Sequence, residues 1–183
     1  MGQRTLFDIL QFNSNRKNVK DLFYALNDIS FSIKKGESVG LIGDNGAGKS
    51  TILKLIAGIT KPSQGIINVQ GKVSSLIELG AGFHPEMSGR ENIYMMGAVY
   101  GLSRRELTDK FNEIVNYADL WDFIDVPIKK YSSGMFARLG FSVAINVKPD
   151  LLLIDEILAV GDINFQMKCY NKIIEKKKGG VTI

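Results

Sequence analysis

The sequence predicts a single α/β domain over residues 1–183, with a helical subdomain inserted at about 88–147. Two observations lead to this fold class. Residues 151–154 are apolar at every position, which is typical of a parallel strand covered on both faces. Segments with apolar residues at helical spacing alternate with such strand-like stretches, and this alternation is typical of α/β domains.

Short strand-like segments on the N-terminal side predict an antiparallel β portion. Residues 29–33 alternate between apolar and polar side chains, as a half-buried strand does. A second strand is predicted over 39–42, and two short ones over 66–69 and 73–79. Residues that favour turns separate these segments, so the pattern predicts several short strands.

A capping box predicts where one helix of the helical subdomain begins. Ser103 followed by Glu106 is a capping box, in which each side chain accepts a backbone N–H bond from the other residue. The apolar residues that follow form one stripe at helical spacing: Leu107, Phe111, Ile114, Val115 and Ala118. Further helices are predicted over 135–147 and 163–178, and 181–183 begin another strand.

Composition excludes some classes of function. The net charge is only +4, from 23 basic and 19 acidic residues, an excess too small to argue for nucleic acid as a partner, and we expect none. Cys169 is the only cysteine, so an internal disulfide is excluded. The aliphatic run at 151–154 is far too short to cross a bilayer. We therefore expect any membrane role to depend on a separate partner.

The strongest motif is a match to G-x-x-x-x-G-K-[ST]. Its residues are Gly43, Asp44, Asn45, Gly46, Ala47, Gly48, Lys49, Ser50 and Thr51. The glycines allow backbone N–H groups to wrap around phosphate oxygens, and the following helix directs its positive end at the same anion. Lys49 would reach the β- and γ-phosphates, and Ser50 would bind Mg²⁺. A glycine-rich turn with a chance lysine is the alternative, but the flanking strand and helix favour ATP binding.

A second motif follows the apolar strand at 151–154. An acid at this position lies at the carboxyl edge of the sheet, where open α/β folds bind ligands. We expect Asp155 to hold Mg²⁺ and Glu156 to act as the catalytic carboxylate on the attacking water. An acidic turn after a core strand is the alternative, and the phosphate-binding motif favours the functional interpretation.

The class of nucleotide-binding protein comes from Tyr131-Ser132-Ser133-Gly134-Met135. Alone, this segment is only a helix N-cap. Its order and spacing relative to the other motifs resemble those of the ABC transporter ATPases, with Ser132 and Gly134 in matching places of the signature loop. Asp162 falls at the acidic position of that family's D-loop, and the resemblance covers about residues 25–183.

This resemblance implies a head-to-tail homodimer with ATP at its interface. In such a pair, each ATP lies between one subunit's phosphate loop and the signature loop of the other. Ser132, Ser133 and Gly134 would then face the γ-phosphate bound by the partner, and Asp162 would lie nearby. The implied cofactors are ATP and Mg²⁺.

A narrower resemblance comes from residues 76–86, 91–94 and 138–141. These segments look like those of ATPase subunits that export bacterial O-antigen, capsule or teichoic acid. The resemblance implies ATP hydrolysis that drives export of a polysaccharide or lipid-linked glycan through a separate integral membrane permease, at the cytoplasmic face of the bacterial membrane. Most members of the family carry a glutamine in the segment that links the nucleotide to the permease, and Glu78 is its nearest equivalent here, expected to contact the bound nucleotide.

The family also has a switch histidine after the last core strand. His84 is the only histidine and lies far upstream, so we interpret it as a surface or permease-facing residue. We expect the chain to be truncated before the switch loop and to have low ATPase activity. Two alternatives stay open: a soluble ABC ATPase acting on nucleic acid or ribosomes, and an inactive nucleotide-binding fragment. The former usually brings two cassettes or long coiled-coil insertions, and neither pattern occurs here.

Overall fold

The computed structural model describes residues 24–77, 79–80, 82–155 and 161–183. Within these ranges the chain forms five α-helices and two short strands. In chain order they are α1 (Lys49–Ile56), β1 (Val73–Ser75), α2 (Gly89–Val99), α3 (Arg104–Ala118), α4 (Ser133–Asn146), β2 (Leu151–Leu153) and α5 (Ile163–Lys178). Two short 3₁₀ turns, Trp121–Phe123 and Ile128–Lys130, lie between α3 and α4.

The two strands pair in parallel, with Ser74 opposite Leu152. This confirms the buried parallel strand predicted from the apolar run. Leu151 also forms a parallel bridge with Thr182, so the strand predicted to begin at 181–183 lies next to β2. The middle position of this small sheet is therefore taken by β2, the strand that leads to Asp155.

The backbone of Ile183 extends this pairing to the segment before the phosphate loop. Its N–H donates to the carbonyl of Glu37 at 2.9 Å, and its carbonyl accepts from the N–H of Val39 at 2.8 Å. Residues 37–39 therefore lie on the far side of Thr182 from β2. This order places the segments before the phosphate loop and before Asp155 in one layer.

The predictions of strands at 29–33 and 66–69 were wrong. Neither segment belongs to a strand among the described residues, and Ile66 is 95% exposed. An alternating pattern produces a strand only where a second segment accepts its hydrogen bonds and covers its apolar face. Neither condition is met at these two segments, so the predicted antiparallel β portion has no paired strands in the described ranges.

Helix α4 joins the two hydrophobic cores of the described chain. One core lies among α2, α3 and α4 and includes Leu139 and Val143 of α4. The other lies against β2 and α5 and includes Phe141 and Ile145 of the same helix. Because α4 is apolar on both sides, its first turn at Ser133 is fixed relative to both cores.

The ends of the helices follow local signals in the sequence. The predicted capping box at α3 is confirmed, since Ser103 and Glu106 each bond the other's backbone N–H. A second box, between Ser88 and Glu91, begins α2. Helix α5 has the predicted bounds, and α4 begins two residues earlier than predicted, directly after Ser132.

Candidate nucleotide site

The phosphate loop enters α1 through glycines with left-handed backbone angles. Gly46 has φ 86° and Gly48 has φ 87°, values that side-chain-bearing residues rarely adopt. A Cβ on Gly48 would also lie only 2.6 Å from the carbonyl oxygen of Ala25. Gly48 is the N-cap of α1, and no side chain caps this helix. The first N–H groups of α1 therefore face the loop without a side-chain acceptor, as an anion site requires.

Lys49 folds back across the same loop. Its Nζ donates to the carbonyl oxygens of Gly43 and Asp44, both at 2.8 Å. These two neutral acceptors hold the ammonium group over the loop. Charged phosphate oxygens are stronger acceptors for an ammonium group than carbonyls are, so a bound polyphosphate would compete well for Lys49.

The two motifs meet at a hydrogen bond between Ser50 and Asp155. The Ser50 hydroxyl donates to Oδ2 of Asp155 at 3.3 Å, although 105 residues separate the two in sequence. Asp155 follows β2 by two residues, and Ser50 lies in the first turn of α1. A hydroxyl and a carboxylate side by side are hard oxygen ligands. Because Mg²⁺ commonly takes one or two protein ligands beside substrate phosphates, this pair fits the ion.

Two predicted site residues lie outside the described ranges. Glu156, predicted as the catalytic carboxylate, follows directly after the last described residue of that segment. Glu78, predicted to contact the bound nucleotide, lies between described residues 77 and 79. Both roles stay predictions.

A groove of about 460 Å³ brings together the other predicted residues. Its walls are formed by Ser132, Ser133, Gly134, Met135, Arg138, Gly161 and Asp162. The signature-like segment and the D-loop-like residue, 30 positions apart in sequence, therefore share one surface. No residue of the phosphate loop lines this groove, so the chain presents two distinct surfaces with nucleotide-site features.

Hydrogen bonds fix the two sides of the groove. The Ser132 hydroxyl accepts the backbone N–H of Met135 at 3.2 Å and thereby caps α4. The Asp162 carboxylate accepts the N–H of Phe165 at 2.9 Å and caps α5, and this bond lowers the pKa of Asp162. Each segment is thus held by the helix that it begins.

Arg138 was missed as a site residue by sequence reasoning. It lines the groove and lies 3.9 Å from the Asp119 carboxylate, with its side chain 22% exposed. The available signal was its spacing, because Arg138 is four residues after Gly134 and therefore lies on the same face of α4. Arg138 gives the groove a cation beside the Asp162 carboxylate, so the groove carries charges of both signs.

The loop, the helix start and the Ser50–Asp155 pair define a P-loop nucleotide-binding domain. The sequence model of the ABC transporter family matches residues 26–159. The chain belongs to the ABC transporter family.

Solved structures agree with this fold. One described as the ATP-binding subunit of an ABC transporter superposes with a TM-score of 0.75 at 27% identity, covering 86% of this chain and 70% of that one. Another, described as a dimeric post-hydrolysis state of an ATP-binding cassette bound to ADP and Pi, gives a TM-score of 0.72. At 23% identity, with 87% of this chain and 78% of that one covered, it supports the fold alone.

Curated relatives are more similar in sequence. The chain is 56% identical over 161 residues to the O-antigen export system ATP-binding protein RfbB of Klebsiella pneumoniae, covering 88% of this chain and 65% of that protein. It is 44% identical over 181 residues to the teichoic acids export ATP-binding protein TagH of Bacillus cereus, covering 94% and 33%. The chain therefore spans between a third and two thirds of the length of these relatives.

None of the described helices combines the length and the apolar character needed to cross a bilayer.

Proposed function

We propose that this protein is the ATP-binding and ATP-hydrolysing subunit of a system that exports a cell-surface polysaccharide or lipid-linked glycan through a separate membrane permease. The contact between Ser50 and Asp155 carries the ATPase part of the proposal, since it joins a phosphate loop to a Mg²⁺-binding acid. The glycan part is supported by relatives named for O-antigen and teichoic acid export. These cargoes are both cell-surface polymers, which favours the same class here.

Each residue of the first site has a distinct task in this proposal. Lys49 exchanges its two carbonyl acceptors for oxygens of the β- and γ-phosphates, while the N–H groups at the start of α1 bind the same anion. Ser50 and Asp155 would hold Mg²⁺, which neutralises phosphate charge when bound. Glu156 would accept a proton from the attacking water on a carboxylate oxygen.

The second surface supplies the argument for pairing. The groove at Ser132–Met135 carries a helix start and Arg138, yet it has no contribution from the phosphate loop of its own chain. A second copy, placed head to tail, would bring its ATP into this groove. We therefore propose a homodimer with ATP at the interface, bound to an integral membrane permease at the cytoplasmic face of the bacterial membrane. Nucleic acid is not among the proposed partners.

The Mg²⁺ site is tested by comparing ATP affinity with and without the metal. For the native protein, Mg²⁺ should tighten the binding of a fluorescent ATP analogue. Asp155→Asn should lose most of this gain, while its affinity in EDTA stays close to that of the native protein. Asp150→Asn, at the other end of β2, is the matched control. An unchanged Mg²⁺ gain in Asp155→Asn would contradict the proposed role of this carboxylate.

The export role needs a cellular test. We expect cells whose only copy of the full-length gene carries Lys49→Ala to lack the surface glycan and to accumulate its lipid-linked precursor inside. The permease should co-purify with the native full-length protein. Normal surface glycan in the Lys49→Ala cells would contradict the proposed function.

A further inference from the structure

We propose that Tyr131 is a positioning residue that links the signature-like loop to the start of α2. The inference rests on the proposed function, in which Ser132 meets the ATP of a second copy. Tyr131 directly precedes Ser132, the residue that caps α4. A residue that fixes Tyr131 in space therefore fixes the position of Ser132 as well.

The phenol group of Tyr131 makes a specific contact outside its own segment. Its hydroxyl donates to the carbonyl oxygen of Phe123 at 2.7 Å. The ring is partly buried against the core formed by α2, α3 and α4, and burial raises the pKa of Tyr131 to about 12. The hydroxyl therefore keeps its proton near neutral pH and remains a hydrogen-bond donor. A leucine in this place would retain apolar packing but could not make this bond.

The first residue of α2 fits closely against the same hydroxyl. A Cβ on Gly89 would overlap the Tyr131 oxygen and would also lie 3.1 Å from Cδ1 and from the carbonyl oxygen of Ile124. The backbone strengthens this junction, since the N–H of Arg90 donates to the carbonyl of Ile124 at 2.8 Å. The start of α2, residues 123–124 and Tyr131 thus meet at one point. Only glycine leaves room for this approach at position 89.

The junction continues to the surface through Asn92. This side chain is fully buried, and its Oδ1 accepts the N–H of His84 at 2.7 Å. Its Nδ2 donates to the carbonyls of His84, Met87 and Ser88 at 3.2, 3.1 and 2.9 Å. The loop at 84–88 and α2 therefore form one bonded unit. A displacement of this loop would be carried to Gly89 and from there to Tyr131.

Exposed apolar side chains lie at the outer end of this unit. Phe123 is 47% exposed, although its carbonyl accepts the Tyr131 bond, and Met87 is 37% exposed. Tyr131 therefore stands between a surface loop and the loop proposed to contact the nucleotide of a second copy.

The decisive variant is Tyr131→Phe in the native full-length protein. It removes one hydroxyl and keeps the ring. Binding of MgATP to a single subunit should be unchanged, because the phosphate loop is elsewhere. Pairing driven by a non-hydrolysable ATP analogue should weaken by at most about tenfold, because the positioning effect is limited by the free energy of the one intrachain hydrogen bond that is lost. If Tyr131 had only a structural role, Tyr131→Phe would instead lower the melting temperature, and nucleotide binding and pairing would not be affected differently.

Two further variants make the measurement specific. Gly89→Ala places a methyl group against the Tyr131 hydroxyl and should also weaken pairing. Combining it with Tyr131→Phe removes the overlapping oxygen, so the double variant should pair better than Gly89→Ala alone. Tyr94→Phe is the matched control, since the Tyr94 hydroxyl also makes a hydrogen bond within the helical region, between α2 and Thr108 of α3 at 3.3 Å. It should pair like the native protein.

The outcomes separate this inference from the proposed function. Normal pairing in Tyr131→Phe, while Ser132→Arg abolishes pairing, would overturn the role of Tyr131 and leave the proposed function standing. Normal pairing in Ser132→Arg would overturn the proposed function itself. Equal losses in Tyr94→Phe and Tyr131→Phe, or no recovery in the double variant, would overturn the specific link and indicate a general loosening of the helices.

Discussion

Helices α1 and α4 both begin at a predicted nucleotide-binding segment, but their first turns differ. Helix α1 begins after Gly48, which has a left-handed backbone and no side chain to cap the helix. Helix α4 begins after Ser132, whose hydroxyl accepts the N–H of Met135. The first helix start is open to an external acceptor, and one donor of the second is already satisfied within the chain.

This difference between the two helix starts predicts different roles for the two segments in ATP binding. An uncapped helix start together with Lys49 can bind a phosphate group using one chain alone. The capped start of α4 offers fewer free N–H donors. Phosphate binding there would depend more on Arg138, which lines the same groove. We therefore expect the α1 site to bind ATP in the single subunit, and the α4 site to contribute only when a second copy brings its nucleotide.

Helices α2 and α3 serve as the comparison for the starts of α1 and α4. Both begin with a reciprocal capping box, so a serine hydroxyl and a glutamate carboxylate each accept a backbone N–H. Neither start offers a free donor set to an external anion, so we expect neither to bind nucleotide, and we expect that of α3 to serve stability only. The helix starts are therefore of three kinds: α1 is open, α4 is singly capped, and α2 and α3 are doubly capped. Matched substitutions at these starts should have different effects.

The largest expected effect is the loss of pairing in Ser132→Arg. A long side chain in the groove would occupy the space proposed for the partner's ATP, and the cap of α4 would be lost. We expect no analogue-driven dimer in sedimentation of the full-length protein, with MgATP binding to the single subunit retained. Ser103→Arg, the same change at the cap of α3, should lower stability but still pair. Normal pairing in Ser132→Arg would remove the distinction drawn between α1 and α4.

Lys49→Ala should have the next largest effect. The change removes a cation from the open helix start, where a charge-assisted hydrogen bond contributes about 1.5–3 kcal/mol. We expect affinity for a fluorescent MgATP analogue to fall about ten- to a hundredfold, with the circular dichroism spectrum unchanged. Lys54→Ala, in the last turn of the same helix, is the control for charge. If both variants bind equally well, the loop is not the phosphate site.

Features that depend on local signals were predictable from the sequence. The capping box of α3 and the bounds of α5 were predicted because caps and apolar spacing act within a few residues. The strand at Leu151–Leu153 was predicted because its side chains are apolar throughout. Strands at 29–33 and 66–69 were predicted wrongly, because strand formation depends on a partner that the local pattern does not specify.

The candidate site was predictable in its residues but less so in its arrangement. The Ser50–Asp155 contact was expected, since both residues belong to known motifs of one chemistry. Arg138 and the Tyr131–Gly89 junction were missed. Gly89 lies 42 residues before Tyr131, and their proximity arises from the packing of α2 against the segment before α4. No spacing pattern in the sequence predicts such a contact between distant residues.

A smaller effect is expected for Ser103→Ala at the doubly capped start of α3. Replacing an N-cap serine by alanine costs about 1 kcal/mol of stability. We expect a lower midpoint in urea unfolding and no change in MgATP affinity or in pairing, because α3 does not line the groove. A reduced nucleotide affinity in this variant would show that the doubly capped helices are not independent of the site.

The smallest expected effect concerns the pH dependence of the same capping box. The hydrogen bonds from the Ser103 hydroxyl and backbone N–H lower the pKa of Glu106 below its ordinary value of 4.5. A carboxylate with a lowered pKa in the folded state stabilises the fold above its unfolded pKa, and this contribution is lost as the pH falls through the folded value.

Glu106→Gln separates the charge from the cap. Glutamine keeps an oxygen that can accept the Ser103 N–H, but it does not titrate. We expect the native protein to lose more stability than the variant between pH 6 and a pH well below 4.5, as followed by urea midpoints. The difference should be small, because Glu106 is fully exposed and solvent screens its charge. Identical pH profiles would mean that the charge of Glu106 does not contribute to the stability of the cap.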